Sequence, residues 1–353
     1  VQSAADIGAL GANRGAGVTR GVSSPAYASP AAFAVACVCV LCAAAALAGL
    51  APLWLSVGTV FVFAGPHNWA ELRFFITRLP VRLGHSRGFF ALAAAGVVGL
   101  TGAYAALALG ADSGVWGAEG WYAATAIWNS AAVVWVVGLV AVRGRMSSRG
   151  GGWVWALPLG CALVGLSWLA PQGFALALVY AHPLVALWFL DRQLRLTRRG
   201  WSRAYRVCLA LLPVALAVLW WRLAGAAPLV EDGEVALRIV RHAGAGIVPD
   251  VVSTHLLVST HVFLETLHYG VWLVGVPLAA GVGLAPWRAA NVPLVRHKRG
   301  RPRLIRGLLA AGGAVVLLLW LCFAADYATT RDVYFTVAMA HVLAEVPFLL
   351  RTL

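Results

Sequence analysis

Three times in this chain a histidine is followed four residues later by a glutamate: His67 and Glu71, His261 and Glu265, His341 and Glu345. A four-residue step along an α-helix returns to the same face about one turn on. Each pair therefore presents an imidazole and a carboxyl side by side. His268 extends the second pair's face by three more residues, in His261-Val262-Phe263-Leu264-Glu265-Thr266-Leu267-His268. A further histidine, His182, sits in the apolar stretch Tyr180-Ala181-His182-Pro183. Ionisable groups inside long apolar segments are costly, so they need partners and a reason to be there.

Neutral imidazole is the commonest protein ligand for zinc, iron or copper. Histidines converging from several helices would make a metal site. His67, His182, His268 and His341 are the expected primary ligands, and His261 joins them as a metal candidate. Glu71, Glu265 and Glu345 are the candidate catalytic carboxyls. They could bind a second metal, fix an imidazole tautomer from behind, or move protons. Iron leads, with zinc or copper next and haem behind them. Two other readings compete: a proton or ion path along the same residues, and simple hydrogen-bonded glue between helices. Soluble di-iron bundles also line their cores with Glu and His, but with Glu-x-x-His spacing.

The segment Gly65-Pro66-His67 with an acid at Glu71 resembles the Pro-His-x-x-x-acid motif of the Brp/Blh family. Those proteins are multi-span carotene dioxygenases that hold iron with histidines from several helices. The resemblance covers about seven residues and carries over only His67, as an iron ligand. The pairs at His261 and His341 depart from that family's pattern, and this chain has more apolar spans.

The elements that must position these residues are membrane helices. Of 353 residues, 61% are hydrophobic and 11% are charged, against about half and a quarter in soluble domains. That excludes an ordinary soluble enzyme, a disordered chain and a secreted disulfide scaffold. Ten apolar spans are expected near 31–49, 52–76, 88–110, 119–142, 152–169, 171–190, 204–223, 252–282, 304–325 and 332–351. The polar pairs fall on the second, eighth and tenth spans and His182 on the sixth. All four run in the same direction, and His182, His268 and His341 fall within about one turn of mid-span, with His67 slightly further in.

Placed on this topology, 23 of the 27 Arg and Lys residues lie on one side. Only Arg222, Arg238, Arg241 and Arg331 lie on the other. The positive-inside rule then puts both termini in the cytoplasm, in a multi-pass protein of the cytoplasmic (inner) membrane. The net charge of +14 is spread over several loops, which excludes a nucleic-acid face and fits contact with anionic lipid headgroups. Residues 1–30 read as a flexible tail and 31–353 as one transmembrane domain.

Smaller features complete the reading. Glu231–His242 is expected to be a short amphipathic helix lying on the membrane. The basic run Arg296–Arg303 is a topogenic anchor. Trp54, Trp121, Trp153, Trp201 and Trp287 are placed at the interfaces. Pro66, Pro183, Pro277 and Pro347 adjoin the polar groups, where helix breaks can line a cavity. Asp191 and Arg192 are expected to pair or snorkel at the inner interface. His255 is read as interfacial, and His85, His242 and His297 as loop residues. The six cysteines lie in apolar segments and read as packing residues. Walker A, zincin and nucleophile-elbow motifs are absent.

The expectation is thus an all-α polytopic integral membrane protein of about ten transmembrane helices. It is expected to be a metal-dependent oxidoreductase or oxygenase acting on a lipid-soluble small molecule. A proton- or ion-coupled transporter is the alternative, although no inverted repeat is visible. So is a non-catalytic subunit with partners in a larger membrane complex.

Overall fold

The computed structural model describes residues 29–79, 86–112, 114, 117–146, 152–229, 233–280, 292–296 and 302–352. The N-terminal tail, His85, Trp287 and the basic residues His297–Arg301 lie outside the described residues.

Each of the ten expected spans coincides with a helix. They are α1 (Pro30–Leu50), α2 (Pro52–Arg78), α3 (Arg87–Asp112), α4 (Ala118–Met146), α5 (Ala156–Leu169), α6 (Pro171–Thr197), α7 (Arg199–Leu223), α9 (Thr254–Gly270), α12 (Pro302–Ala325) and α13 (Tyr327–Thr352). Between them lie α8 (Glu234–His242), α10 (Val276–Ala279) and α11 (Pro293–Arg296). Among the described residues eight helices, α9 being counted together with its extension to Ala279, are long and apolar enough to cross a bilayer. α2 is as long, but His67, Asn68 and Glu71 make it more polar. α5 has only 14 residues. Leu50, Trp54, Leu169, Trp221 and Leu321 are large, apolar and exposed, and soluble monomers seldom carry apolar surface on this scale. The chain is an all-α, multi-pass membrane protein.

Sequence chemistry sets the joints. Ala51 precedes Pro52 and Ala170 precedes Pro171. A residue before proline is driven out of the helical region, and both alanines adopt φ near −145° with ψ of 60° and 71°. Proline tolerates the first position of a helix because its missing N–H would have no partner there. The chain therefore turns a corner in one residue at α1–α2 and again at α5–α6. Arg198 makes a similar corner between α6 and α7. At the α5–α6 corner Asn129 of α4 donates from Nδ2 to Pro171 O at 3.0 Å, so this mid-membrane amide braces a helix joint.

α9 is the central helix. It packs against α1, α2, α6, α7 and α8, and Val258 to Glu265 and Leu267 to Tyr269 are all buried. Directly after Gly270 the chain makes one π-helical turn, Val271–Gly275, in which Val276 N–H bonds Val271 O. Pro277 cannot donate the ordinary α-helical bond to Leu273, and the wider turn absorbs that defect. Such turns recur at functional sites. Gly275 permits the close approach of this turn to α6, since a Cβ there would stand 2.7 Å from Leu190 Cδ2. α2, α6 and α13 run unbroken through Pro66, Pro183 and Pro347.

Three expectations need correction. α8 is the short amphipathic helix expected, but it does not turn its apolar face to lipid. Its apolar face, Ile239 and Val240, is buried against Val258 of α9 and the start of α2, because the bundle end offers an apolar surface nearer than lipid. Trp201 is buried and stacks on Phe33 with centroids 4.4 Å apart, so it packs α7 on α1 rather than anchoring at the interface. His255 needs no correction: it is part-buried near the end of α1, its Nε2 3.1 Å from Gly49 O. His242 is no loop residue; it ends α8 against Phe335, with ring centroids 4.3 Å apart. Asp191 pairs as expected, with Arg195 and Arg206 each at 3.0 Å and Ser202 at 3.2 Å.

Candidate metal centre

Four of the five candidate histidines meet. The ring of His67, on α2, lies 5.3 Å from that of His268 on α9 and 5.2 Å from that of His341 on α13, centroid to centroid. His182, on α6, is 4.5 Å from His268 and 5.3 Å from His341. One nitrogen each from His67, His268 and His341 lies within 4.8 Å of the other two. Metal–imidazole bonds of ~2.0–2.1 Å put ligand nitrogens roughly 3–4 Å apart, so small side-chain rotations close the triad on an ion.

The ring nitrogens are prepared for that role. His67 Nδ1 is 3.2 Å from Phe63 O, one turn back on α2. A carbonyl only accepts, so Nδ1 carries the proton and Nε2 keeps the lone pair a metal needs. His182 Nδ1 meets Glu345 Oε2 at 3.2 Å, and its Nε2 is buried with no protein partner. This is the carboxylate–imidazole pairing that orients metal ligands from behind. Among the described residues neither ring nitrogen of His268 has a hydrogen-bond partner, nor has His341 Nδ1. Buried polar atoms are nearly always satisfied, so a group of orphans around one point marks a place built for something else.

The carboxyls are similarly placed. Glu71 is fully buried and neither oxygen has a hydrogen-bond donor. It faces Glu345, whose Oε1 is also unpartnered. Two carboxyls facing each other in a dry interior must share a proton or a cation. Glu265 is linked to the histidines through Tyr269, whose hydroxyl donates to Glu265 Oε1 at 2.7 Å and whose ring lies 4.6 Å from that of His67.

His261 is not with them. Its ring lies against Tyr180 and against His242 of α8, at 5.6 and 5.0 Å. Seven residues separate it from His268, about 10 Å along the helix axis. A shared face is not a shared depth, and no single ion can bridge that distance.

Tyr269, Arg331 and His242 were not singled out from the sequence. Tyr269 follows His268 directly, and Arg331 breaks the charge bias of its side; both signals were present in the residue order. His67 and His268 are enclosed, while His182 keeps 16% exposure and His341 is only partly buried. What exposure the cluster has is therefore on α6 and α13.

The fold and site together define a polytopic helical membrane protein with a buried histidine cluster. No family model, no curated protein and no solved structure matches the chain.

Proposed function

We propose that this chain is an integral-membrane metalloprotein in which His67, His268 and His341, with His182 as a fourth donor, hold one metal ion. The observation that carries the reading is the meeting of these rings from four helices: one nitrogen each of His67, His268 and His341 lies within 4.8 Å of the other two, and nitrogens of His182, His268 and His341 are buried without partners among the described residues. Iron is the leading candidate, with zinc or copper behind it. A cluster of imidazoles, one of them backed by a carboxylate, suits all three, and the facing Glu71 and Glu345 suit a second hard cation or a shuttled proton.

The activity proposed is a metal-dependent oxidoreductase or oxygenase acting on a lipid-soluble substrate. Its support is position. The cluster lies midway along apolar helices, and its residual exposure is on His182 of α6 and His341 of α13, the residues an apolar molecule would meet first. In this scheme Glu345 holds His182 in its ligating tautomer. Glu71 and Glu345 exchange a proton with the reacting group, and Tyr269 with Glu265 packs and orients His67. The same proposal takes ten membrane spans with both termini inside the cytoplasmic membrane, on the strength of the Arg and Lys bias.

Elemental analysis of the detergent-purified protein, with an optical spectrum of the same sample, tests the reading. One or two atoms of iron, zinc or copper per chain are expected, lost in His268→Ala and His341→Ala. Full metal content in both variants, or a folded protein with neither metal nor chromophore, overturns it.

A further inference from the structure

A second polar cluster lies at the end of the bundle that carries α8, away from the metal centre. Arg331, one turn into α13, is 2% exposed. Its guanidinium sits 4.7 Å over the ring of Phe335, and its Nε is buried with no partner. Among the described residues no carboxylate forms an ion pair with it. Its neighbour Asp332 is held by Arg238, which also pairs with Glu234. Glu265 lies within its field but not in contact. The groups that do surround it carry no negative charge: His242 and His261, whose rings are 5.0 Å apart, and Tyr327, whose hydroxyl oxygen accepts from the guanidinium. Burial first, then Arg331 and His261, holds His242 well below the ordinary histidine range, so at neutral pH it offers one N–H.

A buried guanidinium without a counter-charge is among the least favourable arrangements a protein interior can hold. A ring contact with Phe335 recovers only a small part of that cost. Two histidines this close would elsewhere suggest a cation site, but the adjacent Arg331 repels a cation and selects the opposite charge. Arginine's planar fork of donors matches an oxyanion. The position, one turn from the end of a membrane helix, is the level at which lipid phosphates lie.

We propose that Arg331, His242 and His261 form a binding site for one phosphate-type oxyanion at the α8 end of the bundle. Two sources share that chemistry, a lipid headgroup and a free phosphate ion. The site is independent of the metal reading, because none of its groups belongs to the four-histidine cluster.

The test uses full-length protein in detergent, stripped of lipid and phosphate, at constant ionic strength in chloride. Thermal unfolding is followed while inorganic phosphate, or phosphatidylglycerol in mixed micelles, is titrated in. A saturable rise in Tm is expected. A rise with both probes identifies a free ion as sufficient; a rise with phosphatidylglycerol alone identifies the headgroup. The rise should persist in His268→Ala, be weaker in Arg331→Lys and vanish in Arg331→Gln. Without either probe, Arg331→Gln should be at least as stable as the wild type, since it removes an uncompensated charge. The proposal is overturned if neither probe raises the wild-type Tm, or if the rise survives in Arg331→Gln. It also fails if Arg331→Gln is markedly less stable in anion-free buffer, which would mean that an acid of the chain itself, Glu231 or Asp232, already neutralises Arg331. Should Arg331→Gln not fold, the wild-type titration and His242→Gln, expected to weaken the response, decide the matter.

Discussion

Replacing His268 by leucine should change the sign of its effect with the metal. Leucine is close to histidine in volume, so the packing around α9 is largely kept. In the metal-free protein, His268 buries two ring nitrogens without partners. Each such atom costs about 1–3 kcal/mol, so the gross relief is about 2–6 kcal/mol, and on the order of 2 kcal/mol survives relaxation of the surroundings. His268→Leu should therefore be more stable than the wild type by about 2 kcal/mol in chelator. With metal present, the wild type gains the binding free energy, about 4 kcal/mol at a metal concentration 1,000 times Kd. The variant, short of one ligand, loses it and should be about 2 kcal/mol less stable. Matched unfolding curves in detergent, with and without chelator, read both differences, and elemental analysis of the same samples reads the metal. A variant equally destabilised in both conditions, with metal content unchanged, would show that the histidines only join helices.

Glu71→Gln removes one of two facing buried carboxyls and should leave metal-free stability unchanged or raised. If a second ion lies there, its stoichiometric equivalent should disappear from the elemental analysis while the first remains. Gly96→Ala should destabilise by about 1–3 kcal/mol or more, because a Cβ there would stand 1.9 Å from Trp135 Nε1, which donates to Leu92 O. Gly99→Ala, with nothing within 4 Å of the new methyl, is the matched control and should be neutral or stabilising in the same unfolding assay. Asp326 accepts from Thr329 N at 3.1 Å at the start of α13, and hydrogen bonds to Thr329 hold its carboxyl below the ordinary aspartate range. A depressed carboxyl contributes its stability above the unfolded-state value and loses it as pH falls through the folded one. Asp326→Ala should therefore lower Tm at neutral pH, and the gap to wild type should close as the solution is acidified below the usual aspartate range.

The residue order alone determined the membrane class and the helix positions. Hydropathy and proline punctuation are local properties, and Ala51-Pro52 and Ala170-Pro171 mark their corners whatever the rest of the chain does. The His-x-x-x-Glu pairs likewise announced polar faces on α2, α9 and α13, because helical spacing is a matter of counting. What counting cannot supply is the meeting of helices. That His67, His182, His268 and His341 converge, and that Glu71 faces Glu345, depends on how α2 and α6 pack against α9 and α13 against α2, which follows from shape complementarity among side chains distant in sequence. His261 shows the limit from the other side. Its face was right, but its depth along α9 put it beside His242 and Arg331. That neighbourhood exists only because α8 folds back over the bundle to bury Ile239 and Val240, a choice between protein and lipid surfaces that tertiary packing alone decided.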